Sequence, residues 1–142
     1  MAFDNFLVAT NISASGLVAE RTRMEVIANN IANAHSTRTP GGGPYRRQEV
    51  VFQALLGDRL RGGPMMGGVQ VIGIVDDPSD SPRVHQPGHP DADDQGYVVM
   101  PNVFLPIEMV NLMTANRAYE ANVKVLQAFR QQAEQLLLLI RV

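Results

Sequence analysis

Apolar stripes at both ends of the chain constrain its fold more than any other feature. Over the last third of the sequence, alternating steps of four and three residues land repeatedly on apolar side chains, which is typical of one face of an α-helix. Only Asn116 and Arg130 break this row. The row runs through Leu105, Met109, Leu112, Asn116, Tyr119, Val123, Leu126, Arg130, Ala133, Leu137 and Ile140.

The same stepping finds a second row near the N-terminus, through Phe3, Leu7, Thr10, Ala14, Leu17, Arg21, Met24, Ala28 and Ile31. Neither row can be buried by its own helix, so the simplest arrangement packs the two helices together as an antiparallel or crossed coiled coil. We expect that contact to be carried by Leu17, Met24, Ile27, Ile31, Leu112, Tyr119, Val123, Leu126 and Leu137. Arg21 and Arg130 are expected at the helix edges, with their charges in solvent.

The C-terminal helix carries more apolar residues than one partner helix can cover. Val110, Met113, Val125 and Phe129 all lie outside its row. Apolar residues nearly all round a helix indicate burial on more than one side. Because a chain of 142 residues supplies only one partner helix, the sequence predicts that other chains cover the remaining surface.

Glycine and proline separate the two helical ends from a middle region of short strands. The segment 37–44 contains Pro40, Pro44 and a run of glycines, so it cannot continue a helix. Strand-like runs follow at 48–55, 69–75 and 97–99, with a weaker one at 82–86. The predicted fold is α+β: long N- and C-terminal helices paired as a coiled coil, with a small irregular antiparallel β insertion between them. We divide it into an N-terminal helix at 1–36, the insertion at 37–101 and a C-terminal helix at 102–142.

Composition argues against several classes of function. The formal net charge of −2 gives no electrostatic reason to expect nucleic acid or an anionic membrane surface as a partner. The chain has no cysteine, which excludes disulfides, thiolate catalysis and zinc–thiolate sites. The first residues lack the basic segment and the continuous apolar stretch of a cleavable signal peptide. The longest apolar run, 136–140, is far shorter than the roughly 20 residues of a membrane span, so we expect no direct membrane insertion.

One cluster, formed by His85, His89, Asp91, Asp93 and Asp94, carries side chains of the metal-binding types. Neighbouring prolines and Gly88 prevent the helix that would place both histidines on one face, and the aspartates lack the spacing of a calcium loop. We interpret the cluster as a proline-pinned loop whose side chains bond to local backbone amides or to an adjacent subunit. A metal-dependent hydrolase built on the two histidines would require stoichiometric metal. We expect no catalytic residues, no metal and no cofactor, because nucleophile–base pairs and phosphate-binding loops are missing as well.

Four sequence blocks, at 25–34, 43–48, 87–98 and 116–122, resemble the FlgC family of flagellar basal-body rod proteins. The first, EVIANNIANA at 25–34, is similar to the N-terminal signature of the bacterial flagellar axial proteins of the rod and hook. The others narrow the resemblance to one family: GPYRRQ at 43–48, PGHPDAD at 87–93 with GYV at 96–98, and NRAYEAN at 116–122. The short length also matches, since distal rod and hook proteins have larger middle domains.

This resemblance implies a structural subunit of the proximal rod in the flagellar basal body. Such proteins leave the cytoplasm through the flagellar type III export apparatus without signal cleavage, and they assemble into a helical tube that spans the periplasm. The tube transmits torque and encloses the export channel, with the paired terminal helices lining it and the β insertion facing outward. The implied partners are proximal and distal rod subunits, the ring–rod junction protein, copies of the chain itself and the export apparatus. The helical ends are expected to fold only on joining the polymer.

The resemblance also singles out polar residues and loops in the signature blocks. The polar set is Asn29, Asn30, Asn33, Arg117 and Glu120, and the loop set is Pro44, Tyr45, Arg46, Pro87, Gly88, His89, Pro90 and Asp91. The asparagines either face solvent or, as we prefer, bond to the partner helix or to neighbouring subunits. An unpaired buried amide would cost about 1–3 kcal/mol, so buried members would fix the register of the contact. Asn116, inside the C-terminal row, is expected to act in the same way.

A second hypothesis fits the same pair of helices: a soluble helical-hairpin adaptor or export chaperone that is folded and stable alone. The two hypotheses differ in the expected behaviour of the purified chain. A rod subunit should have low helicity as a monomer and become helical in the assembled tube, whereas an adaptor should be a stable helical monomer.

Overall fold

The computed structural model describes residues 2–55 and 67–140, with side chains described over 7–55 and 67–138. Helix α1 spans Ala2–Ala32 and helix α2 spans Leu105–Ile140. The described residues between them form four strands: β1 at Gln48–Ala54, β2 at Val69–Asp76, β3 at Arg83–His85 and β4 at Tyr97–Val99. The predicted α+β fold is confirmed, with its two terminal helices packed together and small antiparallel sheets between them. A regular coiled-coil repeat between the helices remains a prediction.

Each sheet consists of two strands. β1 pairs antiparallel with β2, and the register shifts between Val51 and Phe52, where β2 carries an extra residue. β3 pairs antiparallel with β4, with His85 opposite Tyr97. Two-stranded sheets are marginal alone in water. The β1–β2 hairpin gains support by packing against α1.

Two cross-helix contacts establish that α1 and α2 are antiparallel. Asn30 near the end of α1 is bonded to Glu108 near the start of α2, while Gly16 lies against Asn122. A side chain at Gly16 would place its Cβ 3.0 Å from Asn122 Nδ2, so glycine allows the helices to approach closely there. The same number of residues separates the two contacts on both helices, which is the register of an antiparallel pair.

Local contacts determine where α1 ends and where α2 begins. Asn33 closes α1, because its side-chain amide and its backbone N–H both donate to the carbonyl of Asn29. At the start of α2, the carbonyl of Phe104 accepts from the N–H groups of Ile107 and Glu108, and Pro106 falls in the first turn, where no helical partner is needed. Among the described residues, no helix combines the length and apolarity that a membrane crossing requires.

The apolar core is small. Its buried members, among the described residues, are Ala19, Val26, Ile27, Ala34, Val98 and Ala115. Many larger apolar side chains stay exposed on both helices and on the hairpins. The interior of this chain therefore depends on polar contacts as well as on apolar packing.

Candidate functional site

Among the described side chains, the most deeply buried polar contact joins the two helices. Asn30 and Glu108 are both fully buried, and Asn30 Nδ2 donates to Glu108 Oε2 at 3.0 Å. The other carboxylate oxygen of Glu108 accepts from Arg47 Nε at 2.9 Å and from Asn111 Nδ2 at 3.3 Å. We call the cluster of Asn30, Tyr45, Arg47, Asp77, Asn102 and Glu108 the polar node.

Asn30 uses all of its hydrogen-bonding capacity in the polar node. Its amide nitrogen donates to Glu108 and to the carbonyl of Gln48 at 2.9 Å. Its amide oxygen accepts from the N–H of Gln48 and from the Tyr45 hydroxyl, each at 2.9 Å. The side chain thus pairs with the backbone of Gln48 as a neighbouring strand would. One asparagine on α1 therefore holds α2, the outer edge of β1 and the loop that precedes β1.

Arg47 supplies the positive charge that the buried carboxylate requires. Its guanidinium bonds to Glu108, to Asp77 Oδ2 at 3.1 Å and to Glu49. Burial lowers the pKa of Arg47, but the hydrogen bonds and charges of Glu49 and Glu108 outweigh burial and raise it overall. Arg47 stays charged, and Glu108 is an ion-paired carboxylate in the interior rather than an isolated charge.

Asn102 closes the end of the β1–β2 ladder. Its Oδ1 accepts from the N–H of Arg47 at 2.8 Å, and its Nδ2 donates to the carbonyl of Asp77 at 3.2 Å. The amide therefore bridges two backbone groups, and Asp77 N donates directly to Arg47 O beside it at 2.7 Å. Because Asn102 lies just before α2, the start of that helix is tied to the hairpin.

Two further groups of the polar node have shifted pKa values. The backbone and hydroxyl of Ser79 lower the pKa of Asp77 below its ordinary 3.8; burial opposes this and Arg47 reinforces it. Burial raises the pKa of the Tyr45 hydroxyl above 10.0, helped by the charges of Asp76 and Glu108. Both shifts favour the form in which each group makes its hydrogen bonds, the ionised carboxylate of Asp77 and the protonated hydroxyl of Tyr45.

The polar node is built from internal contacts. Each charged group faces an internal partner, and Glu108 is sealed from solvent. The contacts of the polar node fix the β1–β2 hairpin and the start of α2 to the end of α1.

The residues predicted to carry the helix contact differ in burial. Ile27 is buried, whereas Leu17, Met24, Ile31, Leu112, Tyr119, Val123 and Leu126 are half-buried and Leu137 is exposed. The face of α2 that meets α1 is centred on Glu108, Ala115 and Asn122, so it lies slightly to one side of the predicted row. A search for apolar residues does not find Glu108 and Asn122, because both are polar.

This offset explains the two polar breaks in the predicted row. Asn116 is exposed and donates to Glu120 Oε1 at 3.0 Å within α2, so it does not set the helix register as expected. Arg130 is exposed and pairs with Glu134 at 2.9 Å, and Arg21 pairs with Glu25 on α1 at 3.1 Å. All three lie outside the contact between the helices, where polar side chains cost nothing.

The polar signature residues divide between internal and exposed positions. Asn30 belongs to the polar node and Asn33 closes α1, while Asn29, Arg117 and Glu120 are exposed. Contacts from these last three to neighbouring subunits stay a prediction.

The two signature loops meet each other. Thr37 Oγ1 donates to Asp91 Oδ2 at 2.8 Å, and the Asp91 N–H donates to His89 Nδ1 at 3.1 Å. Arg46 donates to the carbonyls of Asp77 and Ser79, both at 3.3 Å. Pro44 is half-buried, whereas Pro87, Gly88 and Pro90 are exposed. The Thr37–Asp91 bond joins the loop after α1 to the loop between β3 and β4, and Arg46 joins the loop after α1 to the loop between β2 and β3.

Local partners occupy the cluster that resembled a metal site. Asp93 Oδ1 accepts from the N–H groups of Gln95 and Tyr97, and its other oxygen pairs with Arg83. The Tyr97 amide lowers the pKa of Asp93 most; burial opposes this, and the Gln95 amide and Arg83 lower the pKa further. His85 packs edge-on against Tyr97, with ring centroids 4.9 Å apart. Over residues 2–55 and 67–140, no group of His, Asp and Glu side chains is arranged to hold a metal ion.

Sequence reasoning missed the charged part of the polar node. Glu108, Arg47 and Asn102 were not among the expected contact residues, although a signal for Glu108 exists. Stepping from it by four and three reaches Leu112, Ala115 and Tyr119, which places a carboxylate on an otherwise apolar helix face. No comparable sequence pattern points to Asn102 or Arg47.

Two family models match the chain at its two helical ends. The family described as "Flagella basal body rod protein" matches residues 11–38, and "Flagellar basal body rod FlgEFG protein C-terminal" matches 94–139. The first segment contains Asn30, and the second contains Asn102 and Glu108. The polar node therefore joins the two matched segments through the insertion.

Curated relatives match over most of the chain. A flagellar basal-body rod protein FlgC of Yersinia enterocolitica is 48% identical over 82% of this chain and 84% of its own length. The FlgC protein of Borreliella burgdorferi is 39% identical over 92% of this chain and 95% of its own. That of Bacillus subtilis is 41% identical over 83% and 87% of the two chains, respectively.

Proposed function

This chain belongs to the FlgC family of flagellar basal-body rod proteins, and we propose that it builds the proximal part of the rod. As a member of that family it is a structural subunit of the basal-body rod that assembles with other rod proteins. In the proposed arrangement, copies of the chain and related axial subunits polymerise into a helical tube. The tube transmits torque and encloses the export channel, and the chain performs no catalysis.

The observation that carries the proposal is the imbalance between buried and exposed apolar surface. The described residues bury six apolar side chains, three of them alanines, and leave 20 large apolar side chains exposed. The exposed set includes Val18 on α1 and Val110 and Met113 on α2, each more than 60% exposed. Val110 and Met113 are three residues apart on α2 and so lie on one face of the helix. Apolar side chains grouped in this way normally mark contacts with other molecules. Neighbouring subunits would cover them.

The proposed arrangement uses the three regions predicted from the sequence. Residues 1–36 and 102–142 would form the core of the tube, and the insertion at 37–101 would face outward. The polar node lies where these regions meet, so it would hold the insertion at a constant angle to the core. A torque-bearing subunit needs such stiffness, since load applied to the insertion must reach the helices without loss of packing.

Partners and location follow from the same proposal. The chain would contact proximal and distal rod subunits, the ring–rod junction protein and copies of itself. It would reach the periplasmic part of the basal body through the type III export apparatus, without cleavage of a signal peptide.

Replacement of the natural chain in its own bacterium tests the proposal. A strain without the chain should be non-motile, and an epitope-tagged copy should restore swimming and copurify with detergent-extracted basal bodies. Leu126→Asp places a charge in the half-buried contact between the helices. It should abolish both swimming and copurification with basal bodies. Lys124→Asp, on the exposed side of the same helix, is the matched control and should leave the chain in basal bodies.

Two outcomes would contradict the proposal. A tagged chain that restores swimming while remaining cytosolic and absent from basal bodies would favour the adaptor or export chaperone. We expect the region around the polar node to be folded in the purified chain and the ends of both helices to complete their folding on assembly. A purified chain that is fully helical, monodisperse and stable at high concentration would therefore count against the proposal.

A further inference from the structure

A cleft between α1, β1 and α2 contains an arginine that has no hydrogen-bond partner. The cleft has a volume of about 300 Å³, and Arg23, Val26, Ile27 and Asn111 are among the residues that line it. The side chain of Arg23 is 34% exposed, and its guanidinium donates to no other residue of the described chain. Glu20 Oε2 lies 3.8 Å from Arg23 Nη1, which is too far for a hydrogen bond, and this buried oxygen also lacks a partner. A largely buried cation thus presents unused donors to the cleft.

The outer edge of β1 forms another wall of this cleft. The N–H and C=O of Gln48 point away from β2, because both bond to the Asn30 side chain. Backbone groups two residues apart on an antiparallel strand point the same way, and the ladder is regular as far as Val51. The N–H and C=O of Val50 therefore also point away from β2, where no described side chain bonds to them. Val50 offers one donor and one acceptor to an added strand.

The charges and apolar walls of the cleft specify what fits it. Arg47 also lines the cleft, but its guanidinium is already paired with three carboxylates, so the free donors belong to Arg23. A guanidinium can donate two parallel hydrogen bonds to one carboxylate. Val26, Ile27 and Phe52 add apolar surface beside it. A volume of about 300 Å³ is at the lower end for ligand pockets, so the cleft admits a short segment with an acidic side chain.

We propose that this cleft binds an extended peptide segment of another protein. An acidic side chain of the segment pairs with Arg23, and its backbone adds to the edge of β1 at Val50. In strand addition of this kind, main-chain hydrogen bonds give affinity and side-chain pockets give specificity. The acidic residue is flanked by apolar residues that contact Val26, Ile27 and Phe52. The inference goes beyond the proposed rod function, which does not require this site.

Titration of the purified full chain with two matched peptides tests the inference. The probes are acetyl-Thr-Val-Glu-Val-Thr-amide and the same peptide with Gln in place of Glu, and NMR follows the Val50 amide and the side-chain N–H of Arg23. We expect the Glu peptide to shift both signals. It should bind about tenfold more tightly than the Gln peptide, because hydrogen bonds between charged groups are stronger than neutral ones. A Glu peptide with methylated backbone nitrogens should bind much more weakly, since it cannot donate to β1.

Three variants of the chain sharpen the comparison. Arg23→Gln should remove the difference between the two peptides. Arg21→Gln is the matched control, because Arg21 is exposed and pairs with Glu25, and it should leave both affinities unchanged. Glu20→Gln removes the carboxylate that lies near Arg23, so it should strengthen binding of the Glu peptide. Hydrogen exchange at the Gln48 amide shows whether each variant keeps the fold; where Arg23→Gln does not, Glu20→Gln and the methylated peptide decide the question.

Several outcomes would overturn the inference. Equal affinities for the Glu and Gln peptides, or no shift at Val50 and Arg23 at millimolar peptide, would remove the site. Shifts at Arg23 that sodium acetate reproduces in full would reduce it to a contact with small anions. Shifts that grow with the concentration of the chain alone would assign the cleft to a second copy. Entry of the chain into basal bodies is measured separately, so failure of this inference leaves the rod function standing.

Discussion

Asn30 and Glu108 lie 78 positions apart in the chain, and their side chains meet at 3.0 Å with no exposure to solvent. This single contact joins the end of α1 to the start of α2. Because Asn30 also bonds to both backbone groups of Gln48, the same side chain holds the β1–β2 hairpin. One amide thus contacts both backbone groups of β1 and the buried carboxylate of α2.

Asn30→Ala should weaken the whole junction. The substitution leaves Gln48 N, Gln48 O, the Tyr45 hydroxyl and one oxygen of Glu108 without their partner. At about 1–3 kcal/mol for each buried unsatisfied group, we expect a loss of about 3 kcal/mol or more in the free energy of unfolding. Denaturant titration followed by tyrosine fluorescence measures it, and hydrogen exchange at the Gln48 amide should accelerate in parallel.

Asn29→Ala is the matched control for that experiment. Asn29 has the same chemistry and is next in sequence, but its side chain is exposed. Its replacement should change the unfolding free energy by no more than about 0.5 kcal/mol. Equal effects of the two substitutions would contradict the role of the polar node.

The contributions of Arg47 and Glu108 to the free energy of unfolding should depend on each other. Arg47→Gln leaves the buried carboxylate without its cation, and breaking a buried pair in this way typically costs about 3–5 kcal/mol. Glu108→Gln removes the charge itself, so the double variant should be more stable than the sum of the single losses predicts. Urea denaturation of all four proteins gives the coupling energy.

The exposed pair Arg130–Glu134 provides the comparison for this cycle. Both side chains are more than half exposed, and such pairs are worth under about 1 kcal/mol. A coupling energy between Arg47 and Glu108 as small as that of this surface pair would be inconsistent with a buried, ion-paired node.

Sequence patterns predicted the elements of this fold well because those elements depend on local features. The apolar periodicity of 4 and 3 located both helices, and glycine and proline located the breaks around Pro40 and Pro44. The strand-like run at 69–75 became β2, and even the weak run at 82–86 contains β3. These signals lie within a few residues of the structure they specify.

Asn30 was expected to bond to the partner helix or to a neighbouring subunit, but Arg47, Asn102 and Glu108 could not be predicted in this way, because the tertiary fold brings them together. Arg47 reaches Glu108 across 61 positions, and Asn102 reaches the N–H of Arg47 across 55. A search for apolar positions along the helix also excludes Glu108, because it takes charged residues to be exposed. The row of α2 was consequently placed slightly to one side of the true contact, and Asn116 was assigned to it.

Acid should weaken the junction through Asp77. Its pKa is lowered in the folded chain, first by Ser79 and then by Arg47, so the carboxylate contributes stability at pH values above its ordinary 3.8. That contribution is lost as the pH falls through the lower, folded-state pKa. We expect the unfolding free energy to fall below about pH 4, and Asp77→Asn should flatten this decline.

A surface aspartate gives the control for the acid experiment. Asp94 makes no hydrogen bond or ion pair in the part of the chain that the structure describes. Asp94→Asn should therefore leave the decline between pH 5 and pH 3 close to that of the natural chain. Equal flattening by both substitutions would argue against Asp77 as a specific contributor.

The close approach of Gly16 to Asn122 predicts a coupled pair of substitutions. In a helix interior alanine is favoured over glycine by about 1 kcal/mol, so Gly16→Ala should stabilise α1 where space allows. Here the added Cβ would meet Asn122 Nδ2 at 3.0 Å, and the amide would have to move. We expect Gly16→Ala to add less than about 0.5 kcal/mol in the natural chain but about 1 kcal/mol in an Asn122→Ala background. Thermal unfolding of the four variants measures this difference, and identical gains in both backgrounds would show that the helices do not meet at this point.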